Sequence, residues 1–146
     1  SFAAQLVVQG RYQRKPPLPF SPGTEVVGRV IEGPIPAGTR VFAALDWGGL
    51  AEEAVCDAIH CMPIPDGVAD PLAGVAMAIS YPTAAAALLW RGTVAPGDWV
   101  LVHGAAGGVG LAGMEVAKAL GCRVVARAAA PKHAALRERG ADVVLD

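Results

Sequence analysis

The stretch Gly104-Ala105-Ala106-Gly107-Gly108-Val109-Gly110 carries the clearest chemistry in the chain. An apolar, β-branched run, 100–103, stops at it, and a pattern at helical spacing begins within it: Val109, Ala112, Gly113, Val116, Ala117 and Leu120. Gly121 then fits as a C-cap. Strand, glycine turn and helix are the parts of a phosphate-binding loop. The first turn of a helix has backbone N–H groups without partners, and the helix dipole places partial positive charge there. A pyrophosphate reaches those amides only where no side chain stands in the way. Gly107 and Gly108 clear that approach, and Gly110 lets the helix pack closely on its strand. Ala106 and Val109 complete the turn. The spacing is a close variant of G-x-G-x-x-G, and a second apolar run, Arg123 to Arg127, follows at βαβ distance. A dinucleotide-binding loop is expected here; the plain alternative is an ordinary glycine-rich turn.

The end of the second strand selects the nicotinamide. NAD binders place an acid there for the ribose 2′-hydroxyl. This strand runs Val125-Ala126-Arg127-Ala128-Ala129-Ala130 and offers none, while Arg127, Lys132 and His133 supply cations suited to a 2′-phosphate. NADPH is therefore expected over NADH. The structural alternative makes Arg127 a solvated strand end and Lys132 part of an exposed helix start. His103 reads as a packed histidine at a strand end, and Trp90 and Trp99 read as core. Cys56, Cys61 and Cys122 form no disulfide framework and read as reduced thiols. No Ser/His/Asp or Cys/His set for hydrolysis stands out.

The elements that must hold this loop follow from the rest of the chain. It has 146 residues, 53% of them hydrophobic, with 18 glycines and a net charge of −1. Such a composition suits an α/β protein with a buried sheet, and the charge gives no case for nucleic acid or a membrane surface. No apolar run is long enough to span a bilayer, and the start has no charged leader. Phe2 to Gln9 suits a short helix or turn. The proline-rich 15–23 is extended surface chain. Strands are expected at Thr24–Ile31, Arg40–Ala44, Leu50–Val55 and Cys61–Ile64, giving a small β-barrel or sandwich. Asp70-Pro71 fits an N-cap and first helical residue, ahead of two Ala-rich helices at Leu72–Ile79 and Thr83–Trp90. After the glycine loop and its helix come the strand Arg123–Arg127, a helix over Pro131–Arg139 and a strand over Asp142–Leu145. Only the first half of a doubly wound sheet has room.

Several stretches together resemble the zinc-free quinone oxidoreductase branch, the zeta-crystallin type, of the medium-chain dehydrogenase/reductase superfamily. They are Gly10-Arg11-Tyr12; Leu18-Pro19-Phe20-Ser21-Pro22-Gly23-Thr24-Glu25-Val26-Val27-Gly28; Gly48-Gly49-Leu50-Ala51-Glu52-Glu53; Pro63-Ile64-Pro65-Asp66-Gly67; Tyr81-Pro82-Thr83-Ala84; and the glycine loop. The resemblance implies an incomplete GroES-like β-barrel domain over 1–80. It implies the N-terminal half of a Rossmann doubly wound parallel sheet over 81–146. By resemblance, Ala106, Gly107, Gly108, Val109 and Gly110 hold the pyrophosphate. Thr83 sits beside the nicotinamide, Tyr12 lines the nicotinamide and substrate cleft, and Glu25 is structural. Ser1 and Ala4 stand where the branch usually has an asparagine and often an aspartate. Thr24 replaces the histidine of zinc-dependent relatives, and no metal site is expected.

The implied activity is hydride transfer from NADPH to a quinone or an activated enone, in a cytoplasmic homodimer, with Tyr12 as a candidate donor to the developing oxyanion. An enoyl-thioester reductase of the fatty-acid or polyketide type shares these motifs. A truncated nucleotide-binding remnant without turnover is a further reading.

Overall fold

The computed structural model describes residues 2–68 and 71–146. It divides into two compact units, Ser1–Ala78 and Ile79–Asp146.

The first unit begins with a short helix, α1 (Phe2–Val8), and a proline-rich extended segment. Three antiparallel strands follow: β1 (Glu25–Arg29), β2 (Arg40–Ala44) and β3 (Cys61–Pro63). Their order is β1-β2-β3, with Glu25 opposite Ala44 and Phe42 opposite Met62. Val41, Phe42 and Ala43 of the central strand are buried with Ile64. The sheet is open among the described residues.

The strand expected at Leu50–Val55 does not form. Gly48, Gly49 and Leu50 instead donate backbone hydrogen bonds to Ser21, Gly23 and Pro22, and the chain then leaves the sheet. The following Ala51-Glu52-Glu53-Ala54, with neither β-branched side chains nor an apolar alternation, does not bring it back.

The second unit takes in the end of a long helix, α2 (Pro71–Ala85), which runs directly into a wider helical turn over Ala86–Arg91. Two helices were expected, separated at Tyr81-Pro82. The helix instead continues through Pro82. Proline removes one ladder hydrogen bond, and the buried Ala84 close beyond it keeps the helix packed. The expected cap at Asp70 lies outside the described residues, as does Ser1.

Beyond α2 the chain alternates strictly: β4 (Trp99–His103), α3 (Gly108–Ala119), β5 (Arg123–Arg127), a single 3-10 turn over Ala130–Lys132, α4 (His133–Glu138) and β6 (Val143–Leu145). The expected helix over Pro131–Arg139 is thus split between the turn and α4. The three strands are parallel, in the order β4-β5-β6. This is a mixed α/β chain with one antiparallel and one parallel sheet, as expected of the partial fold.

Met114 and Ala117 of α3 and Leu136 of α4 close over Val124 and Ala126 of β5, with Cys122, Val100, Val102 and Val144 around them. That is one face of the parallel sheet. Trp99, Leu101, Val143 and Leu145 point to the other face and are 39–55% exposed. Trp90 and Trp99 were expected in the core, but they are 80% and 55% exposed. On β4 the alternation decides this: Val100 and Val102 face the helices, so Trp99 cannot. Trp99 is capped instead by the Arg123 guanidinium, 5.3 Å from its ring centre.

Candidate nucleotide site at the end of a parallel strand

Where β4 ends, Gly104 turns the chain with φ +62°, a conformation that favours glycine. The Ala105 amide donates to the Arg127 carbonyl at 3.0 Å, which ties the loop to the end of β5. The Gly107 amide turns back to the Gly104 carbonyl at 2.9 Å, and Gly107, extended, caps α3 without a side chain. The first intrahelical bond is Leu111 to Gly107, 2.8 Å. The amides of Gly108, Val109 and Gly110 are therefore without a backbone acceptor among the described residues. They form the positive end of a 12-residue helix, aimed past a loop that carries no large side chain before Val109.

Gly110 is where space is tightest. A Cβ there would stand 2.3 Å from the Gly104 carbonyl oxygen and 2.8 Å from the Ala105 Cα. Those are backbone atoms that cannot swing aside. The close approach expected of the third glycine is present, and its partner is the start of the loop itself. At Gly107 a Cβ would come within 3.3 Å of the same carbonyl. Glycine at these two positions thus lets the loop fold closely on itself at the start of α3, and the open amides there are donors of the kind a pyrophosphate takes.

The structure brings Arg127 to this loop. Arg127 ends β5 opposite His103, is exposed, and donates from Nε to the Asp146 carbonyl at 2.8 Å. Lys132 is exposed on the turn that follows. Asp146 also accepts the Ala130 amide through Oδ1 at 2.9 Å, so a carboxylate stands beside the expected cations. His133, the third of these, lies in the same cluster and contacts the Ala128 carbonyl at 2.6 Å. His103 is exposed rather than packed, because its position in the β4 alternation puts it with Trp99 and Leu101.

Thr83 lies on α2, exposed, one turn beyond Ser80 on the same helix face. The Ser80 hydroxyl would stand 3.2 Å from a Cβ at Gly108, so this face of α2 lies against the first residue of α3. A second link fixes the pair. The Tyr81 hydroxyl donates to Glu115 of α3, and Arg139 Nη1 donates to the other Glu115 oxygen at 3.2 Å. The hydrogen bond to Glu115, followed by burial, pushes the Tyr81 hydroxyl pKa above its ordinary value. Ser80 and Asp146 escape a reading of the sequence, since only the fold brings them to the start of α3 and the end of β5, and so does Glu115, which the fold pairs with Tyr81 and Arg139.

Tyr12 is half-buried in the loop that follows α1. It belongs to the first unit, whereas the glycine loop and Thr83 belong to the second. In the first unit Glu25 begins β1; burial raises its carboxyl pKa, and its Oε2 has no hydrogen-bond partner among the described residues. Among those residues no group of three or more His, Cys, Asp or Glu side chains is placed to hold a metal ion. No described helix is long and apolar enough to cross a membrane.

Parallel strands joined by helices, with a glycine loop at a helix start, are the arrangement found in the first half of doubly wound dinucleotide-binding folds. No protein-family profile matches the chain. It is 38% identical, over 97% of its length, to quinone oxidoreductase-like protein 2 of Rattus norvegicus, of which it covers 42%. A "probable oxidoreductase" from Mycobacterium abscessus superposes on 99% of the chain with a TM-score of 0.95 and 36% identity, 48% of that protein being covered. The quinone oxidoreductase of Thermus thermophilus, solved also in complex with NADPH, gives a TM-score of 0.86 and 38% identity over 99% of the chain and 46% of its own. Over the residues it spans, the chain is similar in sequence and in fold to these oxidoreductases. It spans less than half the length of these relatives.

Proposed function

We propose that the protein of which these residues form part is an NADPH-dependent oxidoreductase that passes hydride to a quinone or an activated enone. The observation that carries this reading is the cradle at 104–110, where side-chain-free backbone leads to open amides at the start of α3. The Thermus relative, with its NADPH complex, supports the same assignment. Bound there, NADPH would supply the hydride.

The chain's own residues have defined tasks in this reading. The amides of Gly108, Val109 and Gly110 hold the pyrophosphate, and Ala106 and Gly107 leave room for it. Arg127 and Lys132 take the 2′-phosphate. Thr83, on the face of α2 that meets α3, positions the nicotinamide. Tyr12 lines the substrate cleft and donates to the oxygen that gains charge. The resemblance also supports a zinc-free reaction and a homodimeric full-length form, and the three cysteines, read as reduced thiols, support a cytoplasmic setting.

Isothermal titration tests the binding claim. NADPH is expected to bind, and Gly110→Ala to abolish binding. Arg127→Ala combined with Lys132→Ala is expected to weaken NADPH about tenfold or more, as two charge-assisted contacts would, while leaving NADH nearly unchanged. Equal losses for both nucleotides would place the 2′-phosphate elsewhere. Turnover with quinones against crotonyl thioesters then separates the proposed acceptor from that of an enoyl-thioester reductase.

A further inference from the structure

The sulfurs of Cys56 and Cys61 stand 3.1 Å apart. Cys61 opens β3 and pairs with Ala43 of the central strand, which is 1% exposed, so this end of the pair is held by the sheet. Cys56 is held far less. It ends an irregular segment in which 51–55 are exposed, Val55 being 99% exposed. Among the described residues no backbone hydrogen bond secures 51–56. A single 3-10 turn, Ala58–His60, reverses the chain and brings the two thiols together. Both line a groove of about 450 Å³ that residues 26–35 also line.

We propose that Cys56 and Cys61 are a redox-active dithiol that closes to an intramolecular disulfide when it meets a low-molecular-weight disulfide such as oxidised glutathione, tethering the 51–56 segment to β3. The plain alternative is two half-buried thiols in packing contact. The arrangement favours chemistry because one sulfur is fixed and the other rides on loosely held chain. Closing the bond takes about 1 Å of further approach, to about 2.05 Å, and the loose segment can supply it.

Burial, and then the hydrogen bond with Cys56, push the Cys61 thiol up to about 11. The Cys56 sulfur, at the end of the loosely held segment, makes the first attack. Cys56 gives its proton to water and its Sγ bonds to one sulfur of the small disulfide; the S–S bond of that molecule breaks, and one thiolate leaves and takes a proton from water. Cys61 then gives its proton to water, and its sulfur attacks Cys56 Sγ. The second small thiolate leaves and is protonated. Two protein thiols are oxidised to one disulfide, and one small disulfide is reduced to two thiols.

The chain carries its own control. Cys122, the third cysteine, belongs to the second unit, is 2% exposed, and has its sulfur 3.4 Å from the Ala95 carbonyl oxygen. The experiment treats the native protein with excess oxidised glutathione, then unfolds it, alkylates it and digests it with trypsin. No Lys or Arg lies between Val41 and Arg91, so both cysteines fall in one peptide. That peptide is expected two hydrogens lighter and without alkyl groups, the Cys122 peptide is expected to be alkylated, and dithiothreitol is expected to restore both thiols. In the oxidised protein, cleavage by a Glu-specific protease after Glu52 and Glu53 is expected to slow severalfold. A 41–91 peptide carrying two alkyl groups, or one retaining glutathione, overturns the proposal. An unchanged cleavage rate overturns the tether.

Discussion

Gly110 and Gly113 share one helix face by sequence spacing, yet an added methyl meets opposite fates at the two. At Gly110 it strikes backbone at 2.3 Å; at Gly113 it meets only the Val102 side chain at 4.0 Å, an ordinary contact. Gly110→Ala is expected to cost about 1–3 kcal/mol as overpacking. Gly113→Ala is expected to gain about 0.5–1 kcal/mol from helix propensity. Urea denaturation of both variants checks the pair, and similar shifts would refute the packing account. Asp142 is a second residue with a sharp expectation. Its carboxylate accepts the Val124 amide at 2.6 Å and the Lys118 ammonium at 2.9 Å, and these lower its pKa in that order. The native state thus binds that proton less readily than the unfolded chain does. The stability it contributes is complete above the ordinary aspartate range and is lost as pH falls through the depressed value. Asp142→Asn should lower Tm at neutral pH, and the gap from wild type should narrow in acid. A gap that stays constant with pH would show that the charge is not the cause.

Helix α4 has six residues, too few to persist alone, and Leu136 is its buried side chain. Leu136→Ala is expected to cost about 2–5 kcal/mol and, by loosening the turn at Ala130–Lys132, to weaken NADPH binding as well. Chemical denaturation and titration on the same sample test both halves. Elements of this kind were legible where the pattern and the caps agreed. The run from β4 through α3 to β5 could be read because a strand, four glycines and a helical period stand in sequence within a short span. The missing strand at 50–55 and the continuous helix through Pro82 could not. Each turns on a contact from elsewhere: the 21–23 segment takes the backbone of Gly48–Leu50, and the packed Ala84 carries the helix past its proline. The site divides the same way. Its glycines and cations were legible from spacing, but Ser80 and Asp146 arrive from other elements.

The molecule comprises two units, and the proposed nucleotide site draws its backbone amides from the second. Hydrogen exchange on adding NADPH should therefore slow at 104–110 and 126–132 and stay unchanged in β1, β2 and β3. Protection confined to the antiparallel sheet would move the site. The tryptophans bear on how such a protein is followed in solution. Trp47, Trp90 and Trp99 are 40%, 80% and 55% exposed, and they are all the tryptophans in the chain. Their indoles already meet solvent in the native state, so the emission colour will change little when the chain is denatured. Loss of structure has to be watched through the backbone, by far-ultraviolet dichroism. A flat fluorescence trace in denaturant would then be a property of where these rings sit, not a sign of unusual resistance.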